Sequence, residues 1–266
     1  MSDTPLMPSL FVSHGSPMLI LTDCPARDFL SGLGREIGRE IGRPKAVLCV
    51  SAHWEDAAAA VSGAARLETI HDFYGFPPPL YAQRYDVPGD PALAEAVAAA
   101  LVRAGIETRI DPARGIDHGA WVPLKLMFPD ADIPVLQLAI GQGRDAAYHR
   151  RLGEALRPLR EDGVLILGSG AVTHNLRAFR GQAVDAAPLP WVVDFRDWVA
   201  DAVAQGKWDD LLAYRSRHPN AAINHPTEDH IMPLFAAIGA GSGAPGELLH
   251  HSYTHSILAM DAYRFD

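Results

Sequence analysis

Short apolar segments rich in β-branched residues alternate along the chain with longer segments in which apolar residues recur at helical spacing. The short segments predict strands at residues 9–13, 46–51, 59–62, 107–110, 135–140 and 164–167. The longer segments predict helices at residues 91–104, 120–128, 146–160, 189–205, 208–215 and 228–237. Residues 248–265 alternate enough to supply one or two further strands. This order is typical of an α/β fold, with helices flanking a central mixed, largely parallel sheet.

The chain of 266 residues shows no internal repeat and no linker rich in glycine, serine or charge. We therefore expect a single catalytic domain over residues 1–266. Residues 72–91 are too rich in proline for a regular element and too aromatic for a disordered loop, so they predict an ordered lid or pocket wall. The sequence GQGRDA at residues 141–146 resembles a dinucleotide-binding turn, but the next strand lacks the acidic residue that holds a ribose. A tight structural turn is the better interpretation.

Composition narrows the classes of partner. The net charge of −9 gives no positive field for nucleic acid or anionic lipid, so we expect neither as a partner. Cys24 and Cys49 are the two cysteines, and their spacing matches neither a disulfide framework nor a thiolate zinc site. The first eleven residues carry no secretory signal pattern, and no apolar stretch approaches the ~20 residues that span a bilayer. These features predict a cytoplasmic location without membrane attachment. A homo-oligomer is compatible with the sequence.

Twelve histidines stand against three lysines, and the positions of three of them share a pattern. His14, His53 and His174 each follow a buried-looking strand. The carboxyl ends of parallel strands are where ligands bind in open α/β sheets, so we expect these imidazoles to converge there, where they could hold a metal. The alternative is that they are polar residues bonded to nearby carbonyls. His118 lies in a loop that enters a helix, where the preceding Asp117 is expected to orient it.

Five short motifs occur in a specific order: SHGSP at residues 13–17, SAHWE at 51–55, DFYGFP at 72–77, DHGAWVPL at 117–124 and THNL at 173–176. Together they resemble the class III extradiol ring-opening dioxygenases, in the branch that includes the 4,5-DOPA extradiol dioxygenases. The resemblance extends from residue 14 to residue 265, which is nearly the whole chain.

The resemblance implies that His14, His53 and His230 hold one divalent metal, although His230 on its own reads as a polar residue on a helix face. It also implies that His174 is a catalytic base or an additional ligand, and that His118 is an acid or hydrogen-bond donor near the substrate. The wider superfamily uses two histidines and a carboxylate, for which Glu228 is a candidate in this chain. Three imidazoles suit zinc as well as iron, so we expect iron(II) in the active enzyme and allow zinc in the isolated protein.

The activity implied is the opening of a catechol ring, DOPA-like or another phenolic, by dioxygen to give a muconic semialdehyde. An aromatic pocket around the site is expected from Trp54, Phe73, Tyr74, Phe76 and Trp121. Two alternatives stay open. One is a zinc-dependent hydrolase that uses the same histidine cluster to activate water, and the other is a non-catalytic protein that binds a metal or a protein partner.

Overall fold

The predicted strands form one mixed sheet in the computed structural model, which describes residues 6–266. Residues 1–5, which carry part of the segment from which the lack of a targeting signal is predicted, lie outside the described residues. The strands are β1 Ser9–Ser13, β2 Ala46–Asp56, β3 Ala59–Ser62, β4 Arg66–Leu67, β5 Val87–Pro88, β6 Thr108–Asp111, β7 Val135–Gly141, β8 Val164–Gly170, β9 Glu247–His250, β10 Tyr253–Thr254, β11 Leu258–Ala259 and β12 Ala262–Phe265. The helices are α1 Pro25–Glu40, α2 Pro78–Tyr81, α3 Pro91–Arg103, α4 His118–Met127, α5 Ala146–Leu156, α6 Pro190–Ala204, α7 Trp208–Leu212, α8 Tyr214–Arg217, α9 Ala221–Asn224 and α10 Met232–Ala240.

Within residues 6–266, eight strands make up the central sheet, in the order β6-β3-β7-β2-β8-β1-β12-β9. The central strands β7, β2, β8 and β1 run parallel. At one edge β12 pairs antiparallel with β1 and β9 pairs antiparallel with β12, and on the other side β3 pairs antiparallel with β7. The expected mixed, largely parallel sheet is therefore confirmed. Because β2, β8 and β1 are adjacent and parallel, their carboxyl ends lie side by side at one edge of the sheet.

Helices cover both faces of the sheet. Alternate residues of β2 supply the two faces, with Leu48 and Val50 in one apolar cluster and Val47 and Cys49 in the other. Helices α5 and α10 pack on the first face, and α1 and α4 pack on the second. Both faces of the central strands are buried, which explains why these strands are apolar throughout rather than alternating. Within residues 6–266, no helix combines the length and the apolar character needed to cross a membrane.

The sequence pattern did not predict α1. Its buried residues Leu30, Leu33 and Ile37 follow helical spacing, but three glycines within the segment lower its helix propensity. Packing explains one of them, because a Cβ on Gly34 would lie 2.0 Å from the carbonyl oxygen of Met127 in α4. The glycine permits close approach of the two helices, and tertiary contact outweighs the low propensity.

Several predicted boundaries need correction. The helix predicted at 208–215 is broken at Ala213 into α7 and α8, and that predicted at 146–160 ends in a 3₁₀ turn at Arg157–Arg160. The helix predicted at 228–237 begins with a separate 3₁₀ turn, Asp229–Ile231, before α10. The proline-rich segment 72–91 contains the short elements α2 and β5, and the carboxyl-terminal segment forms four short strands rather than one or two.

Candidate metal centre

Three imidazoles meet beyond the carboxyl ends of the central strands. The Nε2 atom of His53 lies 3.0 Å from Nε2 of His14 and 3.2 Å from Nε2 of His230. The candidate ligand atoms of the three residues all lie within 4.8 Å of one another. His14 and His230 are buried, and His53 is partly exposed. The edge of the site at His53 is therefore the more open one.

Each of the three residues reaches the site from a different kind of local structure. His14 directly follows β1. His53 lies in β2 at a bulge, since Ser51 pairs with Ala139 and Glu55 with the next residue of β7, which leaves residues 52–54 without partners there. Bulges re-aim side chains next to sites, and this one explains why His53 leaves the regular pleat. The sequence prediction ended this strand at Ser51 and so missed the bulge.

His230 is brought in by contact between its short 3₁₀ turn and the end of β8. The backbone N–H of Ala171 donates to the carbonyl oxygen of His230 at 2.7 Å. A Cβ on Gly170 would lie 2.1 Å from that same oxygen, so only glycine admits the turn at this distance. The small residues at the strand end are thus required by the approach of His230, which is more than 50 residues away in sequence.

Hydrogen bonds hold the other ring nitrogen, Nδ1, of two of these imidazoles. The Ser169 hydroxyl donates its single proton to the carbonyl oxygen of Gly119, so it must accept from Nδ1–H of His14 at 3.1 Å. The carboxylate of Asp229 accepts from Nδ1–H of His230. In both residues Nε2 is the nitrogen that is left to face Nε2 of His53. This is the usual arrangement of a metal-ligating histidine, whose second nitrogen is held by a hydrogen bond.

Burial keeps His14 and His53 neutral. It lowers the pKa of His14 well below the ordinary value, and the neighbouring His230 and His118 lower it further. The pKa of His53 is lowered well below the ordinary value in the same way, by burial first and then by His118 and His14. A metal can bind only an unprotonated nitrogen, so these residues are in the ligating form at neutral pH.

The donor set fits one divalent ion. In a tetrahedral site with metal–nitrogen distances of about 2.0–2.1 Å, the ligand nitrogens lie about 3.3 Å apart. The separations of 3.0 and 3.2 Å around His53 match this requirement. Imidazole nitrogens suit iron and zinc alike, so the donor set is compatible with both.

His118 is the first residue of α4 and lies beside the three imidazoles. Its ring centre is 3.9 Å from that of His53, and its Nδ1–H donates to Oδ2 of Asp72 at 2.9 Å. The backbone N–H of His118 donates to Oδ1 of the same carboxylate at 2.9 Å. The expectation that Asp117 orients His118 is therefore wrong, because Asp72 does so. Burial acts to raise the pKa of Asp72, but the hydrogen bonds from His118 outweigh it and the net shift is downward, so the carboxylate stays ionised.

His174 lies against His230 rather than among the three converging nitrogens. The two rings are stacked with their centres 3.4 Å apart and an interplanar angle of 6°. A nitrogen of His174 groups with His230 and Asp229, and not with His14 and His53, as a candidate ligand set. Burial, followed by the neighbouring His230, lowers the pKa of His174 to about 2. Its ring is therefore neutral, with a lone pair available beside the centre.

The aromatic residues expected to form a pocket have different surroundings. Phe73 packs edge-on to His118, with ring centres 5.6 Å apart. Trp121 is fully buried and donates from Nε1 to the carbonyl oxygen of Ile70, so it is a packing residue. Trp54 is buried beneath Arg114 at 4.8 Å, whereas Tyr74 is 92% exposed. Of these, Phe73 is the one with a ring contact to a site imidazole.

The remaining candidates lie elsewhere. Glu228 is exposed, and its carboxylate accepts from the hydroxyl of Tyr214. It belongs to no candidate ligand group among residues 6–266, and the carboxylate beside His230 is that of Asp229. The same holds for His71, His149, His218, His225, His250, His251 and His255. Asp72 and Asp229 were not predicted as site residues. The sequence signals for them are the position of Asp72 at the start of the DFYGFP motif and the adjacency of Asp229 to His230.

Residues 8–266 match the family model described as the catalytic LigB subunit of aromatic ring-opening dioxygenase. The chain belongs to the LigB family. The resemblance to extradiol dioxygenases is thereby confirmed, as is the expectation of an extradiol ring-opening enzyme, which acts on a small molecule and dioxygen. Enzymes of this family depend on a metal, and the histidine cluster offers a place for one.

Curated relatives extend over nearly the whole chain. A protein of Beta vulgaris named 4,5-DOPA dioxygenase extradiol is 39% identical, over 99% of this chain and 98% of its own. An Escherichia coli K12 protein of the same name is 39% identical over 89% of this chain and 86% of its own. A crystal structure of an uncharacterized Escherichia coli K12 protein superposes with a TM-score of 0.81 at 32% identity, covering 98% of this chain and 100% of that one.

Proposed function

We propose that this LigB-family enzyme opens the aromatic ring of a DOPA-like catechol beside its diol, consuming dioxygen and giving a muconic semialdehyde. The observation that carries the proposal is the convergence of the Nε2 atoms of His14, His53 and His230, with His118 beside His53 and His174 stacked on His230. The names of the Beta vulgaris and Escherichia coli relatives support DOPA as the first substrate to test.

His14, His53 and His230 would hold one divalent metal through Nε2. Iron(II), when bound there, supplies the electron transfer between catechol and dioxygen that ring opening requires, which zinc cannot do. The Ser169 hydroxyl and the Asp229 carboxylate keep two of the three imidazoles in the tautomer that binds a metal. We therefore assign iron(II) to the active enzyme, while zinc would occupy the same nitrogens without supporting oxygen chemistry.

His174 would act as the base for a catechol hydroxyl. Its ring is neutral, so its lone pair can accept a hydrogen bond from a catechol hydroxyl. Because its lowered pKa makes it a weak base, complete transfer of the proton requires a hydroxyl that a bound metal would make more acidic. The stacked contact with His230 holds the ring beside the centre without making it part of the three-nitrogen set.

His118, whose ring lies against His53, would exchange protons with the substrate. Its Nδ1–H is committed to Asp72, so Nε2 is the atom that donates or accepts. Two hydrogen bonds to Asp72 fix the ring, which leaves Nε2 positioned to deliver a proton as the ring of the substrate opens. The aromatic ring of Phe73 covers one edge of His118 and limits the access of water there.

The test is oxygen uptake by protein stripped of metal and reloaded anaerobically with iron(II) or zinc. DOPA, caffeate and catechol are supplied in turn, and the absorbance of the yellow ring-opened product is followed. The proposal predicts uptake and colour with iron alone. Hydrolysis of an ester or amide substrate by the zinc form without oxygen uptake, with no uptake by the iron form at confirmed occupancy, would instead favour the zinc hydrolase.

A further inference from the structure

The first turn of helix α4 is bonded to the residues that hold His14. The carbonyl oxygen of Gly119 accepts from the hydroxyl of Ser169, and the oxygen of that hydroxyl accepts from Nδ1–H of His14. All three residues are buried, so water does not compete for these bonds. A backbone carbonyl of α4 thereby sets the tautomer of an imidazole at the end of β1.

The same turn contacts His53 from the other side. The hydroxyl of Ser51 donates to Oδ1 of Asp117 at 2.7 Å and accepts from the backbone N–H of His53 at 3.2 Å. A Cβ on Gly119 would lie 2.6 Å from the Ser51 oxygen and 2.9 Å from Cδ2 of the His53 ring. Both separations are shorter than real Cβ contacts, so a side chain at this position must displace the serine, the imidazole or both.

The turn itself is held firmly. Asp117 is fully buried, and its carboxylate accepts from the guanidinium of Arg114 at 2.8 Å and from the side-chain amide of Gln137. Its backbone N–H donates to the side-chain oxygen of Gln137 at 3.1 Å. Gln137 lies in β7, so the helix terminus is fixed to the sheet that also carries His53. The position of the turn is therefore fixed by contacts other than those with the imidazoles, so the turn can hold the imidazoles in place.

We propose that Gly119 is a positioning residue of the metal centre. Its carbonyl holds His14 through Ser169, and its missing side chain lets His53 lie against the helix, so that one turn of α4 sets the angle between two of the three ligands. The inference rests on the proposed function, in which these imidazoles bind a metal. Metal affinity falls about 10–100-fold when residues that orient ligands are removed, and the same loss is expected here.

Two variants test the two contacts separately. Gly119→Ala adds a methyl group against His53, and Ser169→Ala removes the hydroxyl that holds His14 without adding any atom. Gly38→Ala in α1 is the matched control for the first, since nothing lies within 4 Å of that position. Ser9→Ala is the control for the second, because Ser9 is another buried strand serine that donates to a helix carbonyl, that of Ala237, at 2.8 Å.

The probe is cobalt(II), titrated into the full-length metal-free protein against a competing chelator. Its visible absorption reports the geometry of the ligand nitrogens, which a merely structural loss of stability does not change. We expect both variants to bind about 10–100-fold more weakly than wild type, with altered absorption bands, and both controls to match wild type. Nitrogen-15 spectra of His14 in the metal-free protein should also show the Nδ1–H tautomer in wild type and its loss in Ser169→Ala.

Wild-type affinity and wild-type absorption bands in a folded Ser169→Ala or Gly119→Ala protein would overturn the inference. If Gly119→Ala does not fold, Ser169→Ala decides alone. A wild-type protein that binds cobalt(II) tightly, yet consumes no oxygen when loaded with iron(II), would overturn the proposed function and leave the positioning role standing. A wild-type protein that binds no cobalt(II) would overturn both.

Discussion

Acid should destabilise this protein through histidines that are buried as hydrogen-bond acceptors, and His149 offers the cleanest test because it lies outside the metal centre. His149 is fully buried, accepts from the N–H of Gly141 at Nε2 and donates from Nδ1 to the carbonyl of Asp145. A proton on Nε2 would place two donors against each other. Burial accordingly lowers the pKa of His149 from 6.5 to about 4, although the bond to Asp145 acts in the opposite direction.

The direction and size of the change in the free energy of unfolding follow from the difference in pKa between the folded and unfolded states. A histidine whose folded-state pKa is lowered contributes stability that is present above pH 6.5 and is lost as the pH falls toward 4. Between pH 7 and pH 5, the unfolded chain takes up most of a proton at this position and the folded chain almost none. The free energy of unfolding should therefore fall by about 2 kcal/mol from His149 alone.

The assay is urea unfolding of metal-free protein at pH 7 and pH 5, in wild type and His149→Gln. Glutamine does not titrate, and its side-chain oxygen can accept from Gly141. Contributions from the other histidines are common to both proteins, so the wild type should lose about 2 kcal/mol more than the variant over this interval. If the free energy of unfolding falls equally in the two proteins between pH 7 and pH 5, the pKa of His149 is not lowered in the folded state, whatever the stabilities at pH 7.

Three further predictions concern the site and the helix packing. Asp72→Asn should lower kcat for oxygen uptake about 10- to 100-fold at unchanged iron content, because the single oxygen of an amide cannot accept from both the backbone N–H and Nδ1–H of His118. An unchanged kcat would contradict the role of Asp72. His118→Ala should abolish uptake while binding cobalt(II) as wild type does, and a loss of cobalt would make His118 a ligand. Gly34→Ala should destabilise the protein by about 1–3 kcal/mol in urea unfolding, because its methyl group would clash with the backbone of Met127. Gly32→Ala is the control and should stabilise the protein by about 0.5–1 kcal/mol, because its methyl group would point into open space. Similar effects of the two substitutions would contradict the α1–α4 packing.

The position of the site can be predicted from the sequence because it depends on which strands the histidines follow and on the direction in which those strands run. Apolar runs identify the central strands, and the histidines after two of them must lie at one edge if those strands run parallel in one sheet. His14 and His53 meet there as expected. His230 entered the prediction through family resemblance alone, since a histidine next to acidic residues in a short helix carries no local sign of its partners.

What could not be predicted depends on contacts distant in sequence. Nothing near His118 shows that Asp72, 46 residues earlier, rather than the adjacent Asp117, accepts its proton. Local reasoning favoured the neighbour, but the helix start turns the Asp117 carboxylate toward Ser51 and Gln137. Helix α1 was missed for a similar reason. Its glycines lower helix propensity, and only the packing against α4 shows why Gly34 is needed there.

We propose that the enzyme opens a catechol ring with dioxygen at a metal held by this histidine cluster. The most direct measurement is the ratio of oxygen consumed to catechol lost in protein fully loaded with iron(II) and supplied with DOPA, together with the mass of the product. We expect one dioxygen per catechol and a product whose mass is that of the substrate plus both oxygen atoms. DOPA that stays intact at confirmed iron occupancy, or is transformed without oxygen uptake, would contradict it.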